Sequence, residues 1–496
     1  MPPLNVLLIT SDQLRYDAIS TAVESGAATP SFDRLAREGV FFERAYTPCP
    51  ICVPARVSIT TGNYPHFATG TKNNSGLIHD NQPRIAHHFN DHGYETYAIG
   101  KLHYVPYAPP GQPRLLHGFK YCELHESGRL IRQFDPEGGM KGLEDYHDYL
   151  YSVGFGGYER AHWAGNNEVQ ATVSIVPEEH YVDTWITDRS IAALDRHLEQ
   201  HGDMPFFMWT SYPKPHSPYD PPTPWAFMYD PRKVPPPAGC KDMLSEKDPF
   251  LRHMRPHYLW DWMPPQAVQA SRARYWGLVS LQDSMVGRLL DFLEEKGLAQ
   301  NTIVIYTTDH GDLLGDFGCF FKSNFLEGSA RIPFIWRVPG MTGGIRTAAL
   351  AGLQDILPTL AALTGADLTH PVHGLDLSPA LRDGASVRDV YVSQVHDAPG
   401  QCCMITDGRY KYIYNELGPT EELYDLQADP QEKVNLVARG RCEVEAGELQ
   451  ERLVAWIEEY GDHGMIDAGG ELVRRPIPPG YFSDDAKPGT WGRRWF

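Results

Sequence analysis

Short apolar runs rich in β-branched and aromatic residues alternate with stretches of helical spacing. This alternation predicts a mostly parallel sheet covered by helices. "LNVLLIT" (4–10) reads as a buried strand, and so do "YETYAIG" (94–100), "PFFMWTS" (205–211) and "TIVIYTT" (302–308). "TPSFDRLAREG" (29–39) reads as a helix with Thr29 as cap, Pro30 in its first turn and Gly39 as stop. Over 271–296, Leu278, Met285, Leu289 and Leu293 recur at helical spacing until Gly297, which predicts a long amphipathic helix. Residues 217–265, rich in proline and aromatics, read as a long ordered excursion over the sheet. From about 385 the pattern changes. "DVYVSQV", "CCMITDG" and "YKYIYNE" look like strands joined by tight turns. The expected organisation is an α/β catalytic domain over 1–384, a small antiparallel α+β subdomain over 385–462, and a Gly-, Pro- and Trp-rich tail over 463–496.

Ionisable or polar residues follow four of these strands at once. After 4–10 come Ser11, Asp12 and Gln13; after 94–100, Lys101 and His103; after 205–211, Lys214 and His216; after 302–308, Asp309 and His310. Ligands of open parallel sheets bind beyond the carboxyl ends of the strands, so one edge receives carboxylates, imidazoles and ammonium groups together. A single Asp-His after a strand is the composition of an ordinary surface turn; two acidic pairs at equivalent strand ends are not. Asp12, Gln13, Asp309 and His310 form a candidate divalent-metal site, whose oxygen donors and one imidazole suit Ca²⁺, Mn²⁺ or Mg²⁺ better than a soft-ligand zinc or copper site. Lys101, His103, Lys214, His216 and Arg56 form a candidate anion pocket, which Lys322 in "FFKSNFLEGSAR" joins across a Gly-containing loop.

Composition narrows the partners. The net charge of −19 over 496 residues argues against nucleic acid or an anionic membrane surface. No apolar run reaches the length of a membrane span. "MPPLNVLLITSDQ" has no basic leader and reads as a first strand rather than a signal peptide. Eight cysteines, two of them adjacent (Cys402 and Cys403), do not look like a disulfide framework, so a reducing cytoplasm is the expected location.

"TPCPICVPARVSIT" (47–60) supports two readings. Cys49 and Cys52 have the C-x-x-C spacing of a thiol redox centre or half a zinc site. Cys52 also opens C-V-P-A-R, at the start of a helical run that Gly62 stops. A helix N-terminus presents N–H donors and the positive dipole end, which suits a nucleophile working on an anionic centre.

At C-V-P-A-R the chain resembles the type I sulfatases of the alkaline-phosphatase superfamily, whose motif is C-x-P-x-R. "NVLLITSDQ", "GKLH", "KPHSPY", "TTDHGDLLGDFG", "KSNFLEGSARIPFI" and "DGRYKYIYNE…EELYDLQADPQEKVNL" match that family in order, from residue 4 to about 437. The resemblance implies an alkaline-phosphatase-like mostly parallel sheet flanked by helices, with a smaller C-terminal antiparallel subdomain. It implies that a formylglycine-generating enzyme converts Cys52 to formylglycine. One hydroxyl of the hydrated aldehyde then attacks sulfur, and the other loses its proton as sulfate leaves. By the same resemblance, Asp12, Gln13, Asp309, His310 and residue 52 bind one divalent ion. Arg56 and Lys101 orient the nucleophile or sulfate, His103 is the base for elimination, and His216 and Lys322 bind sulfate or assist the leaving oxygen.

Many sulfatases carry a second aspartate where this chain has Gln13 and an asparagine where it has His310. The Asp-Gln/Asp-His set resembles choline sulfatases and phosphonate monoester hydrolases, and makes Mn²⁺ a candidate beside Ca²⁺. The expected activity is hydrolysis of a small-molecule sulfate monoester (aryl, choline or sugar), with phosphonate monoester or phosphodiester hydrolysis as the alternative. The Lys-x-His pair in "GKLH" favours sulfate. A choline-type pocket calls for an aromatic cage, and Tyr104, Tyr107, Trp163, Tyr219 and Trp225 are available for one. The tail "GTWGRRWF" leaves a homo-oligomer open.

Overall fold

The apolar runs pair side by side in the computed structural model, which describes residues 3–24, 26–103, 116–126, 144–160, 167–257, 260–396, 400–418, 420–460 and 463–479. Among these residues the strands are β1 (Asn5–Asp12), β2 (Val40–Tyr46), β3 (Glu95–Gly100), β4 (Tyr121–Leu124), β5 (Phe206–Pro215), β6 (Thr302–Thr308), β7 (Phe334–Arg337), β8 (Ile345–Gly352), β9 (Tyr391–Val395), β10 (Cys402–Thr406), β11 (Tyr410–Asn415) and β12 (Glu421–Asp425). The larger sheet runs β4-β3-β5-β1-β6-β7-β2-β8 and is parallel except at β7, which is antiparallel to both neighbours. The smaller sheet, β12-β11-β10-β9, is antiparallel throughout.

Central parallel strands are buried on both faces and therefore read as nearly continuous apolar runs. β1, β5 and β6 have every residue buried. One face of the sheet packs under the helices Pro30–Glu38, Val182–His201 and Pro265–Glu295. The other packs under Ile85–Asp91, Ile356–Thr364 and Ser378–Asp383. The long helix starts at Pro265, ahead of the expected 271, because a proline in the first turn needs no N–H partner and fixes a helical φ. The excursion over 217–265 holds short 3₁₀ turns and the helix Pro249–His257. The tail residues 480–496 lie outside the described residues.

The sheet order places the expected residues together. β3, β5, β1 and β6 are consecutive and mutually parallel. Ser11 lies opposite Thr308, so Asp12 and Asp309 follow at neighbouring strand ends. Gly100 closes β3 with φ 99°, and a Cβ there would meet the Ser211 carbonyl oxygen at 2.0 Å. Only glycine permits that approach, after which the Lys101 N–H bonds the same carbonyl at 2.8 Å.

The smaller sheet is covered by the helix Glu443–Tyr460 and tied to the larger layer by a buried ammonium. Lys411 on β11 donates to the Phe325 carbonyl at 2.7 Å and to Glu327 at 2.8 Å, and also pairs with Glu432. Truncating a buried ion-pair partner leaves an uncompensated charge, at a cost of about 3–5 kcal/mol. Lys411→Ala should therefore lower the unfolding free energy measured in urea by that order, without removing any residue at the strand ends of the larger sheet; an unchanged free energy would exclude the tie.

Candidate active site

Cys52 is the first residue of the helix Cys52–Thr61, which ends where Gly62 turns left-handed at φ 70°. The residue is 2% exposed. Sγ lies 3.2 Å from His310 Nε2 and 3.8 Å from Asp12 Oδ1. Cys49 faces elsewhere, with its thiol toward the Lys72 carbonyl at 3.6 Å. The two cysteines are buried free thiols whose sulfurs face different partners.

One turn along the same helix, Arg56 is fully buried. Its Nε donates to Asp309 Oδ2 at 2.9 Å; Nη1 donates to the Lys101 carbonyl at 2.6 Å and to Ser211 Oγ at 2.9 Å. With its donors spent on strand ends, Arg56 positions the site. Lys101 pairs directly with Asp12. Gln13 donates its amide to Asp312 at 2.6 Å and accepts at Oε1 from Lys322 Nζ at 2.5 Å. Lys322 also reaches His216 Nε2 at 2.9 Å, while His216 Nδ1 faces the Ser217 carbonyl at 2.8 Å. These two contacts assign the proton to Nδ1 and leave Nε2 as acceptor.

Backbone strain collects here. Gln13, His103, Phe321 and Ser323 all adopt left-handed φ, at 70°, 63°, 70° and 69°, a conformation that side chains other than glycine rarely take and that concentrates at functional sites. The strain at Gln13 turns its N–H onto Asp309 Oδ1 at 3.1 Å. At His103 it aims the N–H at the Glu126 carboxylate at 2.9 Å.

The electrostatics follow from burial among mixed charges. Burial opposes ionisation of Asp12, but the charges of Lys101, Arg56 and Lys322 outweigh it and hold the carboxyl well below its usual range. Burial, reinforced by Lys322, pushes His216 well below the ordinary imidazole range, so it is neutral at neutral pH. Burial and Asp12 push the Cys52 thiol up; Lys322 and His310 outweigh them, and the net value is lowered. His310 is raised, because Asp309 and Cys52 overcome its desolvation.

Ligating atoms of Asp12, Cys52, Asp309 and His310 all lie within 4.8 Å of one another. Two buried carboxylates and an imidazole around one point are a donor set that fits a divalent cation. Beside this group opens a small cleft, shared through His216 and lined also by His125, Tyr146, Glu159, Tyr181 and Lys214.

A family model described as "Sulfatase" matches residues 4–366. This chain belongs to the sulfatase family. It is thereby a sulfuric ester hydrolase of the alkaline-phosphatase superfamily. A second model, for the C-terminal part of N-sulphoglucosamine sulphohydrolase, matches residues 315–459. The sulfatase is 29% identical to a choline-sulfatase of Rhizobium meliloti, over 95% of this chain and 88% of that protein. It is equally 29% identical to an arylsulfatase of Clostridium perfringens, over 95% and 98%. In shape it matches the phosphonate monoester hydrolase of Agrobacterium radiobacter with a TM-score of 0.79 at 23% identity, covering 95% of this chain and all of that one.

Of the residues expected in the sulfatase site, Asp12, Cys52, Arg56, Lys101, Asp309 and His310 form one connected group, and Gln13, His216 and Lys322 border it. His103 follows the same strand end, buried and fixed by Glu126. Lys214 turns away to the Pro218 carbonyl at 2.8 Å and to Asp220, in the cleft wall. Of the aromatics considered for a cage, Tyr219 packs edge-on to Tyr275 with its hydroxyl on Asp312, and Trp225 is partly buried in the excursion. Tyr104, Tyr107 and Trp163 lie outside the described residues. Sequence reasoning missed Glu126, Ser211 and Asp312, which hold His103, Arg56 and Gln13 in place; Asp312 sits in the matched run "TTDHGDLLGDFG", where that signal was available.

Asp309→Asn should release the divalent ion of this donor group, since it removes one of two carboxylates from it and weakens the hold of Arg56. Elemental analysis of variant and parent decides this, and an unchanged metal content would exclude Asp309 from the ligand set.

Proposed function

We propose that this sulfatase hydrolyses a small-molecule sulfate monoester through formylglycine at position 52. The observation that carries the reading is the place of Cys52, the first residue of a buried helix among Asp12, Asp309, His310 and the cations Lys101 and Lys322. A divalent ion held by Asp12, Asp309, His310 and residue 52, with the Gln13 amide oxygen adjoining, would supply Lewis acidity toward the sulfuryl oxygens. Its donor set suits Mn²⁺ or Ca²⁺.

In this reading formylglycine hydrate at residue 52 would supply the hydroxyl that attacks sulfur; its proton passes to the Asp12 carboxylate, 3.8 Å from the side-chain atom at position 52, as the bond from sulfur to the alcohol oxygen breaks. Lys322 protonates the leaving oxygen, and neutral His216 orients that ammonium by accepting one of its protons. His103 takes the proton of the second hydroxyl, the carbon–oxygen bond to sulfate breaks, and the aldehyde re-forms. Lys101 donates to a sulfuryl oxygen. The alcohol half occupies the cleft beyond His216. Aryl and choline sulfates enter as candidates because the relatives carry those names. A formylglycine-generating enzyme acts on Cys52 during maturation.

A second reading, phosphonate monoester or phosphodiester hydrolysis, rests on the Asp12-Gln13/Asp309-His310 set, which both groups of enzymes use. Lys101 and His103 favour the sulfate reading, because together they supply a sulfuryl donor and an elimination base. Matched aryl sulfate and aryl phosphonate esters should therefore show the higher kcat/KM for sulfate, and a clear preference for phosphonate would transfer the enzyme to the second reading. His103→Ala should release alcohol in a burst followed by slow turnover.

Two further outcomes test the roles. Peptide mass spectrometry of protein matured beside a formylglycine-generating enzyme should find the aldehyde at residue 52, and activity surviving Cys52→Ala would refute it as nucleophile. Lys322→Ala should lower kcat by roughly 10²–10³-fold, with the loss growing as the leaving alcohol becomes more basic. A loss independent of the leaving group would assign Lys322 to sulfate binding alone.

A further inference from the structure

The crossover between β3 and β5 gathers a second set of ligating side chains, remote in sequence from the first. His125 follows β4, His147 lies on the buried face of the helix Asp145–Ser152, and Glu159 lies in the 3₁₀ turn Tyr158–Arg160. Ligating atoms of all three lie within 4.8 Å of one another. The imidazole rings stand nearly perpendicular, 86° apart with centroids 5.3 Å apart. Both point Nε2 at one carboxylate: His147 Nε2 is 2.6 Å from Glu159 Oε2, and His125 Nε2 is 3.5 Å from Glu159 Oε1. Behind the rings, buried Glu144 Oε2 lies 2.9 Å from His125 Nδ1 and 3.5 Å from His147 Nδ1.

This arrangement has a chemical consequence. Without an ion, the 2.6 Å contact puts a proton on His147 Nε2, donated to Glu159, because a carboxylate only accepts. A cation would take the place of that proton, and a carboxylate on the Nδ1 side then holds the ring proton there, the role that outer carboxylates play behind metal-bound histidines. We infer that His125, His147 and Glu159 form a second divalent-cation site of the Zn²⁺ class, with Glu144 orienting both imidazoles. Two nitrogens and one carboxylate are the ligand set of a tetrahedral ion with water in its fourth position. Donors about 2.0–2.1 Å from such an ion stand about 3.3–3.5 Å apart. The His125–Glu159 separation already has that value, and His147–Glu159 opens by under about 1 Å. His125 and Glu159 also line the cleft that His216 borders, so the ion would brace the wall that receives the alcohol half of the substrate.

The site is tested on the full chain, stripped with chelator, equilibrated with Zn²⁺ and analysed for bound metal. Asp309→Asn, which disables the first donor group, should retain Zn²⁺. His147→Gln added to it should abolish retention, and Glu144→Gln should weaken Zn²⁺ binding roughly 10–100-fold. Co²⁺ in Asp309→Asn should give the visible absorption of a tetrahedral ion, lost in Asp309→Asn/Glu159→Gln. Zn²⁺ should raise the melting temperature of Asp309→Asn and leave that of the Asp309→Asn/His147→Gln protein unmoved, which separates loss of the site from loss of the fold. If folded Asp309→Asn binds neither Zn²⁺ nor Co²⁺, the four side chains are ion pairs only. If the double variants bind as well as Asp309→Asn does, the metal lies elsewhere. Either result overturns the proposal.

Discussion

The active site depends on one guanidinium. Arg56 has no exposed surface, and its donors reach Asp309 beyond β6, the Lys101 carbonyl beyond β3, Ser211 on β5 and the Ser11 carbonyl on β1. Those are the four consecutive strands of the sheet whose ends carry the chemistry. A planar cation with donors along its whole edge can bridge several acceptors at once, which a point-charged ammonium cannot. Desolvating it is costly, and the cost is offset because Asp309 and Asp12 are buried with it. Arg56 also carries residue 52 with it, one turn earlier on the same helix. The nucleophile's position is therefore coupled to the sheet through a side chain that need not touch substrate.

A second layer of support comes from the C-terminal sheet. Lys411 fixes Glu327 and the Phe325 carbonyl, in the segment that follows Lys322 and Ser323. Ser323 in turn donates its N–H to the Pro50 carbonyl at 2.9 Å, just before Cys52. The loop bearing the proposed proton donor is thus held between the smaller sheet on one side and the nucleophile's approach on the other.

Much of this was legible in the sequence because parallel strands buried on both faces leave little choice of pattern. "TIVIYTT" is a strand over the very residues expected, and the polar residues after four such runs converge because strand ends in one parallel sheet have nowhere else to go. β2, β4, β7, β8 and β12 were not read. β7 is four residues long and runs against its neighbours, so no crossover rule points to it. The left-handed turns at Gln13 and His103 were equally silent, since tertiary contacts with Asp309 and Glu126 impose them against local preference. The His125–Glu144–His147–Glu159 set escaped because its members come from three elements with no common period. Spacing shows ligands that share a helix or a strand end; it does not show those that a crossover folds together.

Placing the anion-binding groups at strand ends and the cleft wall in the β3–β5 crossover separates two kinds of evolutionary freedom. Residues after β1, β3, β5 and β6 are locked by Arg56 and by one another, so a change at one disturbs all. The wall residues His125, Tyr146 and Glu159 belong to the β3–β5 crossover, beside the edge strand β4 and away from the four strand ends that Arg56 bridges. The lining of that crossover can change while the sulfur-facing machinery stays intact. A single hydrolytic head can in this way be inherited unchanged by enzymes that differ in the alcohol they release.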